Sequence, residues 1–306
     1  MSKIQYIDKN FRKDSLTLID IANGIIEDFE GQGFDLTLRQ LYYQFVINNL
    51  FPESWVDVKT GSTNNMKSYK KLVDLVSNGR LAGKIDWNSI TDRTRSVNEF
   101  SFWDDIPEII RSAQYAYTLD KWADQLMMFE VWVEKDALIN IVGKACDPFE
   151  VPSFSCRGYV SQSAMWRAAQ RIIDYEKPTT ILHLGDHDPS GIDMTRDIED
   201  RLQIFGADNV NVKRIALSQK QVKKYKLPPN PAKITDSRAD RYIEEYGREC
   251  WELDALSPKV LIDLIVENID DEINHDILYN TKQMQDAGRL KIKKISDNID
   301  LSDMEE

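Results

Sequence analysis

Apolar side chains recur along residues 14–31 (DSLTLIDIANGIIEDFEG) at Leu16, Leu18, Ile19, Ile21, Ala22, Ile25 and Ile26. That three-and-four spacing lines one face of a helix, with Asp14 or Ser15 placed to cap it. Thr37 can cap a second helix, LRQLYYQFVINNLF, in which Leu38, Leu41, Tyr42, Phe45 and Val46 share a face. After the polar stretch DVKTGSTNN, the segment SYKKLVDLVSNGRLAG reads as a third helix closed near Asn78 and Gly79, and GKIDWNSITDRTRS as a turn with short strands. Three helices followed by a β-wing describe a winged helix-turn-helix domain, expected over residues 1–98, with the third helix as its groove reader.

Residues 99–126 form a helical connector in which Phe100, Phe102, Trp103, Tyr115, Tyr117 and Trp122 are expected to serve a core. The rhythm then changes. MMFEVWVEKDALINIVGKA is a strand running into a helix. VPSFSCRG, helix SQSAMWRAAQRIIDYEK, strand TTILHL, helix IDMTRDIEDRLQIFG and strand NVNVKRIAL continue the alternation. Strands alternating with helices of this length mean βαβ units and a parallel sheet, so the fold class is α/β (α+β overall), with the sheet domain over 127–290. WELDALSPKVLIDLIVENIDDEI is helical again, and from Asp263 to Asp276 the chain has six acidic residues and no basic one. Residues 291–306, ending in SDNIDLSDMEE, read as a solvated, disordered acidic tail.

Composition narrows the class. The 306 residues are 42% hydrophobic and carry a net charge of −12, a globular composition whose length suggests two domains. No apolar run approaches the ~18 residues that a membrane span needs. The opening MSKIQYIDKNFRKDS has basic residues with no apolar run behind them, so neither a signal nor a transit peptide is expected. Cys146, Cys156 and Cys250 fit neither a zinc site nor a disulfide framework, which favours a reducing cytoplasm. A uniform charge of −12 would repel nucleic acid, yet the charge is polarised. Between Lys59 and Arg95 eight basic residues face three acidic ones, a local balance of +5. Lys67, Lys70, Lys71, Arg80, Lys84, Arg93 and Arg95 are therefore candidate contacts to double-stranded DNA, with Asn64, Asn65 and Ser68 beside them.

The most specific chemistry lies where the strand TTILHL ends in Gly185, Asp186, His187, Asp188, Pro189, Ser190 and Gly191. Carboxylates two residues apart on leaving a strand point the same way. The strand FEVWV also ends in an acid, Glu134, which an adjacent strand would bring beside Asp186 and Asp188. Three such carboxylates suit Mg²⁺, with Mn²⁺ as a possible substitute, because a hard cation takes oxygen ligands and bridges to phosphate. His183 reads as a strand residue and His187 as facing away from the metal.

VWVEKDAL followed by ILHLGDHDPSG resembles the Toprim fold of topoisomerases, primases and OLD-type nucleases, whose metal-binding acids are a Glu after one strand and a DxD after a later one. The Pro and Gly after the DxD, together with Arg39-Gln40-Leu41-Tyr42-Tyr43 in the upstream helical domain, look specifically like the A subunit of topoisomerase VI and its meiotic double-strand-break relative. The shorter chain is closest to the stand-alone mini-A type. The resemblance implies that Tyr43 is the nucleophile, that Arg39 assists at the scissile phosphate, and that Glu134, Asp186 and Asp188 hold the metal. Tyr42, Lys135 and Arg157 are secondary candidates, Arg157 in the Cys156-Arg157-Gly158-Tyr159 turn that replaces a glycine-rich one. A helix places Arg39 and Tyr43 on one face, where a guanidinium favours a phenolate and binds phosphate. Tyr42 is expected in the core and Tyr43 exposed.

The resemblance further implies a 5′-phosphotyrosyl DNA link, a homodimer in which the tyrosine of one protomer meets the acids of the other, and a separate GHKL-type ATPase subunit as a possible partner. Glu252 and Asp254, in WELDAL, are similar to the family's acidic segment but are assigned a structural role. Two alternatives stay open: a hydrolytic Toprim DNA nuclease that does not use the tyrosine, and a non-catalytic winged-helix DNA-binding protein.

Overall fold

In the computed structural model, residues 3–34, 36–58, 60–90, 101–231 and 238–298 are described. The amphipathic stripes of the N-terminal third become α1 (Lys13–Gly31), α2 (Leu38–Ile47) and α3 (Met66–Leu81). α1 begins one residue before the expected cap, so Asp14 lies inside its first turn and Arg12 gives no side-chain cap. α3 runs through Asn78 and Gly79 instead of closing there, with Gly79 packed close under the Ile85 side chain. Of the expected wing, the described residues show isolated bridges, Gln5 to Ala82 and Leu36 to Ile90, and the remainder lies outside them.

The connector is less helical than expected. α4 (Ile106–Ala116) is capped by Asp105 and has no buried residue. Phe102 and Tyr115 are 86% and 78% exposed, whereas Trp122 is 3% exposed and donates from Nε1 to the Phe149 carbonyl at 2.9 Å. The expectation of a core role thus holds for Trp122 and fails for Phe102 and Tyr115; Tyr115 sits on α4, whose main contact among the described residues is the long C-terminal helix. Phe100 lies outside the described residues.

Next come β1 (Met128–Val133), α5 (Ile139–Cys146), β2 (Ser153–Ser155), α6 (Gln162–Asp174), β3 (Thr179–Leu184), α7 (Pro189–Ile204) and β4 (Val210–Ala216). The four strands form one parallel sheet in the order β2-β1-β3-β4, so the fold is α/β. Alternation divides the side chains between two faces. Val131, Val133, Leu182 and Leu184 join α5 and the N-terminal helices in one core, while Trp132, Ile181, Val210 and Val212 pack with α6 and α7 in another. Burial on both faces explains why β1 and β3 read as nearly continuous apolar runs. The first core extends from Leu18 to Leu278, so the N-terminal helices and one face of the sheet share it.

The chain continues through α8 (Gln219–Tyr225), β5 (Asn230–Pro231), α9 (Ala239–Tyr246), β6 (Glu249–Cys250), α10 (Pro258–Asp270) and α11 (His275–Asp297). The acidic stretch 263–276 is broken between α10 and α11, and Asn274 caps α11 through the amides of Asp276 and Ile277. The part of the expected tail past residue 298 lies outside the described residues, but α11 extends to Asp297, so residues 291–297 of that tail are helical. Its amphipathic surface packs on α4 and supports seven more residues of helix.

From the central β1 the chain passes to β2 on one side and then back to β3 on the other, a topological switch that opens a crevice at the carboxyl ends of β1 and β3. Gly191 seals the turn beyond β3. A Cβ there would lie inside contact distance of the Asp186 carbonyl oxygen and 3.0 Å from its carbon. Gly191→Ala should therefore cost about 1–3 kcal/mol of stability, read as a lowered urea midpoint; an unchanged midpoint would contradict this packing.

His183 is fully buried on β3, its Nδ1 2.8 Å from Thr195 Oγ1. Burial, with help from Arg214, pushes its pKa down from 6.5 to about 3. Between those values the unfolded chain binds a proton that the folded one does not, so acidification through this range destabilises the fold. The expected contribution is about 1.4 kcal/mol per pH unit below 6.5. His183→Asn should show a shallower fall in urea stability between about pH 7 and about pH 5 than the parent, and parallel curves would disprove the assignment.

Candidate active site

A capping box starts α2: the Thr37 hydroxyl accepts from the Gln40 amide at 3.3 Å, and Gln40 Oε1 accepts from the Thr37 amide at 2.9 Å. The helix so fixed carries Arg39 and Tyr43 one turn apart, with the Arg39 guanidinium 5.9 Å from the Tyr43 ring centre. Tyr42 faces inward as expected, against Phe51 and Tyr69, and its hydroxyl accepts from the Asn65 amide at 2.8 Å. Tyr43 differs from expectation. It is 4% exposed, because α2 packs against the 3₁₀ turn Leu253–Ala255 from the distant C-terminal part of the chain. Burial, reinforced by Glu252, raises the Tyr43 phenol pKa despite the opposing charges of Arg39 and Lys135. The resting side chain is a neutral phenol.

The acids assemble at the sheet switch. The Glu134 amide donates to the Leu184 carbonyl, and Glu134 Oε2 accepts from the Asp186 amide, both at 2.8 Å. Asp188 caps α7, its Oδ1 accepting from the Gly191 amide at 2.6 Å and the Ser190 hydroxyl at 2.9 Å. Asp186 points elsewhere. Its Oδ1 accepts from the Leu253 amide at 2.7 Å and lies 2.9 Å from Lys135 Nζ. Alternation along an extended pair would aim Asp186 and Asp188 alike, but the helix cap and the Leu253 amide draw them apart. His187 points away from the acids, as expected, into a box of Tyr242, Tyr246 and Trp251. Its backbone exchanges hydrogen bonds with Trp251 at 2.8 and 3.0 Å, which docks the WELDAL segment on the DxD turn.

Glu252 and Asp254 thereby enter the site. Lys135 Nζ pairs with Glu252 and lies 3.0 Å from Asp254 Oδ2, while Arg39 binds Glu252 at 2.7 Å and Asp254 at 2.8 Å. Burial opposes the charged form of Glu252, yet Lys135 and Arg39 outweigh it and bring the carboxyl down to about 2. Asp186 goes the other way. Burial lifts it well above the ordinary carboxylate range, with Glu134 and Glu252 adding to the rise and Lys135 opposing it. Arg214, from β4, braces the turn from beneath, donating to the carbonyls of Gly185, Asp186 and Gly191 at 2.9, 2.5 and 2.8 Å. Sequence alone gave no sign of Arg214, one more arginine in a strand. The acids of WELDAL were visible as a motif but not as neighbours of Tyr43.

A cavity of about 550 Å³ opens between these elements, and its walls include Arg39, Tyr43, Asp188, Ser190, Asn230 and Glu252. Thus the tyrosine helix and the DxD turn of one chain face the same space. Among the described residues no cluster of three acids, histidines or cysteines is arranged as a ready metal cage. The donor chemistry nevertheless fits Mg²⁺ held in the sparse manner usual for that ion, by one or two carboxylates and substrate phosphate. Among the described residues, Glu134 Oε1 and Asp188 Oδ2 make no protein hydrogen bond. After burial, which is the larger cause, the charge of Asp188 raises the Glu134 pKa, and a shared cation would relieve that repulsion.

The basic surface is smaller than its sequence suggested. Lys67, Lys70 and Lys84 are exposed, and Lys71 lies 4.8 Å over the Trp55 ring. Arg80 is committed to the fold, donating to the Trp87 and Ile90 carbonyls and stacking 4.9 Å over Trp87. Asn65 caps α3, Ser68 donates to the Trp55 carbonyl, and Asn64 donates to Asn230 Oδ1 at 2.6 Å, so these three side chains take part in the scaffold. Arg93 and Arg95 lie outside the described residues. Arg157 is an exposed rim residue paired with Asp136 at 3.0 Å, away from the cavity walls.

No protein-family model matches this chain, and no curated protein matches it.

The Arg39 contacts tie α2 to the C-terminal acids across more than two hundred residues of sequence. Arg39→Ala should lower stability by about 2 kcal/mol, the scale of hydrogen bonds to charged groups, in urea titrations at neutral pH. Arg39→Lys should recover part of the loss, and a neutral effect of Arg39→Ala would show that the contacts carry no weight.

Proposed function

We propose that this chain is a Mg²⁺-dependent DNA transesterase of the topoisomerase VI A-like, mini-A type, in which α1–α3 act as a winged-helix DNA-binding unit and the parallel sheet as a Toprim unit. The supporting observation is that Tyr43 and Asp188 line one cavity beside Arg39 and Glu252. The Tyr43 hydroxyl oxygen attacks a backbone phosphorus, a P–O bond to Tyr43 forms, and the P–O3′ bond breaks. The product is a 5′-phosphotyrosyl link and a free 3′-hydroxyl, with the phenol proton passing in net to the departing 3′-oxygen. No bond energy is lost to water, so the step is reversible.

Arg39 binds the phosphate. Its Nε and Nη2 hold Asp254 and Glu252, which leaves Nη1 to meet a phosphate oxygen in the cavity. Arg39 and Lys135 both favour the developing phenolate. Glu134 and Asp188 would hold Mg²⁺, which would supply Lewis-acid stabilisation at the phosphate. Lys67, Lys70, Lys71 and Lys84 steer duplex DNA, and pairing of two chains into a homodimer would present a site to each strand. Tyrosine and acids act within one chain in this reading, since Tyr43 and Asp188 line the same cavity; a GHKL-type ATPase is required only for strand passage.

One observation favours a second reading. The burial that raises the Tyr43 pKa disfavours the phenolate, as a hydrolytic nuclease using water would tolerate. Supercoiled plasmid incubated with protein and Mg²⁺, then stopped with detergent with and without protease, separates the two. Transesterification predicts protein-linked DNA that protease releases, lost in Tyr43→Phe while DNA binding is retained. Cutting that survives Tyr43→Phe without any linked protein would establish hydrolysis instead.

A further inference from the structure

Lys135 sits at the centre of a group of acids drawn from two stretches of the chain. Its Nζ lies 2.9 Å from Asp186 Oδ1 and 3.0 Å from Asp254 Oδ2, and it also pairs with Glu252. Three carboxylates from two distant stretches of chain thus converge on one ammonium, in the manner of oxygen ligands around a hard cation. Its side chain is 16% exposed and Asp254 is fully enclosed, so water contributes little to neutralising them. Among the described residues Asp254 Oδ1 is buried without a hydrogen-bond partner, while Oδ2 meets Arg39 and Lys135, so the carboxylate is held by its cations. Of the remaining pair, Asp188 lines the cavity, and among the described residues neither Asp188 Oδ2 nor Glu134 Oε1 receives a protein hydrogen bond.

We infer that Lys135 is the resident cation of this site: its ammonium occupies the position that a second divalent ion would take among Asp186, Glu252 and Asp254, and the chain accordingly takes a single divalent ion, at Glu134 and Asp188. The inference rests on the metal-dependent reading above. It assigns Lys135 a positioning role, fixing Asp186 and the WELDAL acids, and it makes the charge beside Tyr43 independent of metal concentration. An ammonium can balance the three acids without the octahedral water shell that Mg²⁺ carries, which suits so enclosed a cluster.

Mn²⁺ binding to the purified full chain, followed by the loss of the free-ion electron paramagnetic resonance signal, tests this. The parent should bind one ion per chain. Lys135→Met should bind one more than the parent, and Lys135→Arg the same number as the parent. Equal counts in the parent and a folded Lys135→Met would overturn the inference. The parent count tests the metal reading separately, since a parent that binds none while Lys135→Met gains one would refute the Glu134–Asp188 site and leave the role of Lys135 intact. Should Lys135→Met fail to fold, anomalous diffraction from parent crystals soaked in Mn²⁺ decides. No peak among Asp186, Glu252 and Asp254 agrees with the inference, and a peak there with Lys135 displaced overturns it.

Discussion

Two cations, Arg39 and Lys135, and three acids, Asp186, Glu252 and Asp254, meet in one network, and the geometry around the cavity follows from it. Its inner members, Lys135, Asp186 and Asp254, are enclosed, so removing one of them would strand charge where water does little to compensate it, while Arg39 and Glu252 stay partly exposed. The network explains why α2, from the start of the chain, lies against the Leu253–Ala255 turn near its end. It also explains why Asp186 does not simply mirror Asp188. Apolar burial builds the two cores, but ionic pairing sets which polar side chains meet at the sheet switch.

The opposed directions of the carboxyl groups have the same origin. Glu252 lies between Arg39 and Lys135 and is held down near 2, whereas Asp186, deeper and beside Glu134 and Glu252, is pushed up. In the transesterification we propose, a neutral Tyr43 beside this field would lose its proton late, as the P–O bond forms. Local positive charge would then stabilise the transition state more than the resting phenol.

Much of the scaffold was legible in the sequence, because βαβ alternation and continuous apolar runs are local signals. β1, β3 and β4 and the helices between them lie close to the expected segments. Tyr42 as a core residue and His187 as turned from the acids were also legible, the one from helical spacing and the other from the lack of ligand partners. Long-range packing was not. The burial of Tyr43, the use of Arg80 and Asn65 as scaffold, and the convergence of Glu252 and Asp254 on Lys135 depend on segments far apart in the chain. The exposed aromatics at Phe102 and Tyr115 escaped for the converse reason, since composition suggests burial but only a neighbouring element can provide it.

The central claim is that a single chain brings the nucleophile and the acids together. Co-expression of differently tagged Tyr43→Phe and Glu134→Gln chains, each inactive alone, gives mixed assemblies in which either chain lacks one half of the site. If tyrosine and acids act within one chain, the mixture yields no protein-linked DNA on a denaturing gel. Restoration of linked DNA in the mixture would contradict the account and place the two halves on different protomers.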